Sequence, residues 1–228
     1  LNINHRNADL KLFELGNCYF FHPEVEAGEN PLARYSESYR IAIAVTGQDA
    51  TPSWNVKAAK ASFYTLRAAV EKLLRRFGID IYSLRADALQ SDLYSDAVAL
   101  MQGNKCMAEM GVVAPAILRK FDLKQPVYFA EIDFELIVRA AKKQRIAVEE
   151  LSKFPEVKRD LALLVDKSVT FAQLREIAFA TEKKLLKRVT LFDVYEGDKL
   201  PEGKKSYALG FTLEDKTQTL NDKTIEKV

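Results

Sequence analysis

Glu131, Asp133 and Glu135 stand at alternate positions in the run YFAEIDFE, so a strand would place the three carboxylates on one face. Carboxylates sharing a face are what general acid–base chemistry or a hard cation requires. Solvated charge at a strand end explains this set more simply. Cys18 and Cys106 are two thiols with no CxxC and no metal-ligand spacing, the pattern of buried free cysteines in a reducing cytosol. His5 and His22 are far from each other and from any triad, and carry no assigned chemistry. There is no P-loop, no Ser-x-Gly elbow and no His–Cys cluster. The chain by itself is expected to catalyse nothing.

A different kind of chemistry is carried by Leu191 to Leu220, LFDVYEGDKLPEGKKSYALGFTLEDKTQTL. Leu191, Asp193 and Tyr195 alternate with Phe192 and Val194, and Gly197, Pro201 and Gly203 then punctuate a polar loop. From Ser206 the alternation resumes, with Tyr207, Leu209, Phe211 and Leu213 on one face and Ser206, Ala208, Gly210 and Thr212 on the other. A face of small residues beside an exposed tyrosine admits a flat ligand, and nucleobases offer both a π-face and hydrogen-bonding edges. The pattern equally describes an ordinary hairpin with one buried face, which pattern alone favours.

The elements that would position this hairpin follow from periodicity. Leu10 to Phe21 reads as a strand with a bulge or bend at Gly16-Asn17, His22 to Glu37 as a loop, and Tyr39 to Thr46 as a strand. Val56, Ala59, Phe63, Leu66, Val70, Leu73 and Phe77 predict an amphipathic helix starting after either Ser53 or Ser62, with Gly78 at its C-terminal end. A hairpin about Gln102-Gly103-Asn104, a short helix over Ala116 to Phe121, a strand over Val127 to Ile132 and a helix over Phe134 to Lys143 come next. Gln144 to Ser152 is a polar bridge, placing a domain boundary near Leu151. Beyond it lie a strand over Leu161 to Val165 and a helix capped by Thr170. That helix is expected to bury Leu174, Ile177, Ala178, Thr181, Leu185 and Leu186. After the hairpin a last helix is expected from Asp222. The order β-α-β-β-α lacks one strand of the split βαβ arrangement.

The chain's 228 residues suit one large or two smaller domains, and 48% apolar with 29% charged residues is a globular profile. Apolar runs are too short to span a bilayer, and no signal pattern opens the chain. A formal charge of +2 creates no global basic field, so any RNA contact must be local and partly stacking-driven.

The hairpin and the segment FPEVKRDLALLV before it resemble the ferredoxin-fold anticodon-binding module that ends the bacterial phenylalanyl-tRNA synthetase beta subunit. The resemblance rests on Phe154-Pro155 followed by Arg159-Asp160, the run Leu191 to Gly197, the Gly203-Lys204-Lys205-Ser206 turn, and Thr219-Leu220. Leu12 to Gly16, the helix containing Phe63, Gly111 followed by Ala114-Pro115, and Phe129 to Phe134 resemble, more loosely, part of that subunit's core domain. The resemblance implies an α+β chain. Residues 1–151 would be a degenerate, non-catalytic class II synthetase-like antiparallel sheet with helices, and 152–228 a truncated ferredoxin-like domain. Residues 1–151 lack the Arg-x-Glu strand and the Gly-rich strand–helix with its arginine, whose guanidinium groups would stabilise charge in adenylate formation.

The resemblance further implies a cytoplasmic heterotetramer of two alpha and two beta subunits that binds tRNA-Phe, with no membrane or DNA partner. ATP and Mg2+ would serve the holoenzyme and not this chain. Tyr195 would stack on the first anticodon base, Asp193 accept from a base edge, and Ser206 bond a neighbouring base. Lys205 and Arg159 would contact phosphates. The alternative is a protein-interaction module with no RNA role, its small-residue face docking a partner strand or helix. Salt separates the two, because only an RNA site loses affinity steeply with ionic strength.

Overall fold

A computed structural model describes residues 5–26, 28, 30–144, 150–221 and 225, and the chain divides into two compact units, 1–146 and 147–228. No helix among the described residues is long and apolar enough to cross a membrane.

In the first unit the elements run β1 (Leu10–Phe21), β2 (Tyr35–Thr46), β3 (Gln48–Ala50), β4 (Ala59–Lys60), α1 (Phe63–Arg76), β5 (Arg85–Ala88), β6 (Tyr94–Gln102), β7 (Lys105–Val113), α2 (Pro115–Lys120), β8 (Val127–Asp133) and α3 (Phe134–Ala141). Six of the strands form one antiparallel sheet in the order β1-β2-β8-β7-β6-β5. Leu66, Val70 and Leu74 of α1, one helical turn apart, press on Ile41, Val45, Met110, Ala130 and Ile132 of the sheet. Ile137 of α3 joins the same cluster.

Local chemistry decides where α1 begins. The Ser62 hydroxyl accepts from the Thr65 amide at 3.4 Å, and the Thr65 hydroxyl accepts from the Ser62 amide at 3.2 Å. This reciprocal box satisfies two amide groups that a first turn leaves unpaired. Val56 and Ala59, in phase with the helix by periodicity, lie outside it, and Ala59 belongs to β4. Gly78 follows with φ +76°, the left-handed conformation that ends a helix at least cost to glycine. The expected bend at Gly16-Asn17 is absent, since β1 pairs with β2 without interruption from Leu10↔Thr46 to Phe21↔Tyr35. That same pairing extends β2 back to Tyr35, within the segment read as loop.

The second unit runs β9 (Val157–Asp166), α4 (Phe171–Thr181), β10 (Leu186–Tyr195) and β11 (Lys204–Leu213). Its three strands form an antiparallel sheet in the order β10-β11-β9. Thr170 caps α4 in a second reciprocal box, with Gln173. The buried side of this helix is rotated from the expected one: Phe171, Ala178 and Phe179 pack on Leu186, Val189, Leu213 and Leu220, while Ile177 is 61% exposed. The reason is that Leu185 and Leu186 do not continue the helix. The Glu182 carboxylate accepts from the amides of Lys184 at 2.7 Å and Leu185 at 2.8 Å, turning the chain into β10. Those two bonds hold its pKa below the usual carboxylate range. The helix expected from Asp222 lies outside the described residues except for Ile225.

Candidate nucleic-acid interface

Glu131, Asp133 and Glu135 do not share one strand: Glu131 lies within β8, Asp133 ends it, and the exposed Glu135 is in α3. Glu131 pairs with Arg40 at 2.6 Å, Asp133 accepts from the Leu136 amide at 2.9 Å to cap α3, and Glu135 pairs with Arg139 one turn on at 3.0 Å. Each has a structural partner, and among the described residues no group of three or more His, Cys, Asp or Glu could hold a metal ion. Glu131 and Glu109 face each other across β7 and β8, beside Cys106 and Tyr94. Burial, then the Glu109 charge, pushes the Cys106 thiol up to about 11, and burial raises the Tyr94 phenol above its ordinary value. A raised thiol pKa contributes stability that is full below the unfolded value and is lost as pH climbs from there through about 11. In a Cys18→Ser chain, iodoacetamide should therefore modify Cys106 along a pH profile centred near 11. A profile centred near the free-thiol value of about 8.5 would contradict the burial.

The second unit presents the sheet face that chemistry could use. Directly opposed residues of neighbouring strands share a face, so the register sorts the side chains. Leu209 opposes Leu191 and Leu161, and Tyr207 opposes Val194 and Leu163, on the side that bears α4. Ser206 opposes Tyr195 and Leu164, and Ala208 opposes Asp193 and Ala162, on the uncovered side. Leu191 and Asp193 therefore point to opposite faces, contrary to strict alternation. A bulge between Leu191 and Asp193 inserts Phe192 as an extra residue and inverts the phase of the strand. Tyr195, Asp193 and Ser206 are thereby gathered on one open face.

Tyr195 is 42% exposed, and its ring is positioned by the loop that follows. A Cβ on Gly197 would overlap the Tyr195 hydroxyl and Cζ, so any larger residue there would displace the ring tip or the loop. Two of the sequence-derived site residues are placed elsewhere. Lys205, read as a phosphate contact, is 7% exposed on the α4 side; its Nζ donates to the Lys167 carbonyl at 2.8 Å and stands 4.6 Å from the Tyr207 ring centroid. The side chain thus uses its charge on a backbone oxygen and an aromatic face, and phosphate cannot reach it from the open side. Arg159 opposes Phe211 and so also belongs to the α4 side, although it is exposed. In a strand a shift of one position changes the face, so the neighbours Ser206 and Asp160 are on the open side where Lys205 and Arg159 are not. Phe192, 59% exposed on the open side, had no sequence signal beyond the break in alternation that its bulge creates.

Residues 1–134 match the family model described as the phenylalanyl tRNA synthetase beta chain CLM domain. The chain belongs to the phenylalanyl-tRNA synthetase beta-chain family. Residues 152–228 match a second model, the ferredoxin-fold anticodon binding domain, so the open sheet face of this beta-chain segment lies within an anticodon-binding domain. The phenylalanine–tRNA ligase beta subunit of Bacteroides thetaiotaomicron is 47% identical over 228 residues, and that of Porphyromonas gingivalis is 42% identical over 228 residues. Each alignment covers 100% of this chain and 28% of the relative. The subunit of Syntrophotalea carbinolica is 32% identical over 227 residues, 99% of this chain and 27% of its own length. The chain thus spans just over a quarter of the beta subunits it matches.

Proposed function

We propose that this chain is a non-catalytic part of a phenylalanine–tRNA ligase beta subunit that binds the anticodon of tRNA-Phe during aminoacylation. The observation that carries the reading is the joint placement of Tyr195, Asp193 and Ser206 on the uncovered face of an anticodon-binding domain. The tyrosine ring supplies a stacking platform, the carboxylate accepts from a base edge, and the hydroxyl donates or accepts beside them. Residues 1–151 act as a degenerate class II synthetase-like core that packs against a catalytic alpha subunit in an assembly of two alpha and two beta chains. In this reading ATP and Mg2+ serve the holoenzyme. The setting is cytoplasmic, where charged tRNA is used.

The test is binding of the chain to a tRNA-Phe anticodon stem-loop beside stem-loops with altered anticodon bases. Preference for the native anticodon, retained in moderate salt, is the expected result. Equal binding to all loops that vanishes with salt would reduce the contact to charge alone. Salt-insensitive binding to the alpha subunit with no RNA affinity would favour a module for protein contact.

A further inference from the structure

Beyond Tyr195 the open face continues along β11 to Gly210, while Thr212, next on the same side, is buried at 8% exposure. A Cβ built on Gly210 would stand 2.9 Å from the Thr190 hydroxyl oxygen, 3.4 Å from Asp160 Oδ1 and 3.7 Å from Phe192 Cδ1. Three side chains from the two flanking strands therefore lean over one residue that has none. The Thr190 hydroxyl donates to the Gly210 carbonyl at 3.2 Å, which leaves its lone pairs directed outward. Asp160 opposes Gly210 from β9, and an ionised carboxylate only accepts. Phe192 is the bulged residue. Because the bulge gives β10 one residue more than β11, Phe192 shares the open side with Asp193 and Tyr195, exposed like them. A phenylalanine more than half exposed on a sheet has a free π-face and no core to fill.

Charge along the same face changes sign with position. Asp193 and Asp160 lie beside the two aromatic rings, where they would repel phosphate but accept from base edges. At the far end the buried Thr212 is flanked by two exposed cations, Arg188 on one side and Lys158 on the other. From Ser206 to Thr212 the strand spans about 20 Å, enough for more than one nucleotide.

We propose that Phe192, with Thr190 and Asp160 over Gly210, forms a second nucleobase subsite next to Tyr195, and that Arg188 and Lys158 hold the phosphate beyond it. The proposal rests on the reading of this face as a binder of single-stranded RNA. Stacking on Phe192 tolerates any base, so discrimination comes from the edge. Two acceptors there favour a base with an exocyclic amino group, adenine, cytosine or guanine, over uracil, whose carbonyl oxygens would meet lone pairs. The strand then runs along β11 with bases facing the sheet and the sugar–phosphate chain outward, reaching cations only where the acidic residues end.

The test measures affinity of the whole chain for the anticodon stem-loop, with Phe192→Ala, Phe192→Tyr and Tyr195→Ala, and with one loop nucleotide at a time made abasic. Phe192→Ala should weaken binding about 10- to 100-fold, with Phe192→Tyr near the parent. Its effect should vanish when one particular loop base is removed, a different base from the one that cancels Tyr195→Ala. Uridine at that position should bind less well than adenosine or cytidine. Replacing Arg188 and Lys158 by glutamine should lower the salt dependence by roughly one counterion per residue lost. If Phe192→Ala binds like the parent while Tyr195→Ala does not, the second subsite is wrong and the anticodon reading stands. If the parent chain shows no dependence on loop sequence, both fall. Thermal melting of each variant, expected to match the parent at so exposed a residue, separates lost contact from lost fold.

Discussion

Tyr195→Ala should weaken binding of the tRNA-Phe anticodon stem-loop by about 10- to 100-fold, the loss of a base–aromatic stack worth roughly 1–3 kcal/mol. The ring is 42% exposed and touches no core cluster, so the melting temperature of the second unit should be nearly unchanged. Tyr195→Phe keeps the π-face and should retain most of the affinity. Gly197→Ala provides an independent check, because the added methyl would occupy the space of the Tyr195 hydroxyl and Cζ. Either the ring or the loop must move. Affinity should fall toward that of Tyr195→Ala although no RNA-contacting atom is removed. Titration of the four proteins with one fluorescent stem-loop decides the matter. Parental affinity in Tyr195→Ala would remove the platform from the proposed site.

The largest stability effect should come from the first unit. Leu66 is fully buried in the α1–sheet contact, in one cluster with Val70 and Leu74 of the helix and side chains of β2, β7 and β8. Leu66→Ala removes that packing and leaves a cavity, at a cost of about 2–5 kcal/mol. Chemical denaturation followed by circular dichroism should show the loss as an earlier midpoint for the transition that melts the first unit. Loss below about 1 kcal/mol would mean that the sheet and helix collapse onto the site freely. The transition of the second unit, which has its own core of Leu186, Val189, Leu213 and Leu220, is the internal reference.

Much of the molecule is legible in order along the chain. Apolar spacing of 3 and 4 residues identifies α1, turn residues locate the β6–β7 and β10–β11 hairpins, and the Thr170 cap marks the start of α4. These features depend on residues close in sequence, whose chemistry is fixed before any tertiary contact forms. The residues of the open face were half legible: Asp193, Tyr195 and Ser206 share it, while Lys205 and Arg159 do not. The start of α1 shows how a local rule can be right and still ambiguous. Ser53 and Ser62 both offer a cap, and only Ser62 opens the helix, with Ala59 and Lys60 before it in β4.

What the sequence by itself determined is most of the longer helices and strands, the family resemblance and the presence of a small-residue strand beside an aromatic, but not the short strands β3, β4 and β5. What only the tertiary structure decided is which side chains share a face. Strand side chains alternate with a period of two, so the single extra residue at Phe192 reverses the assignment of everything on one side of it. A bulge is defined by the partner strand, since two residues must oppose one. Lys205 shows the same dependence: its charge suggests phosphate, but the register turns it toward the Lys167 carbonyl and the Tyr207 ring. Pairing across strands is non-local, and the chain read one residue at a time does not contain it.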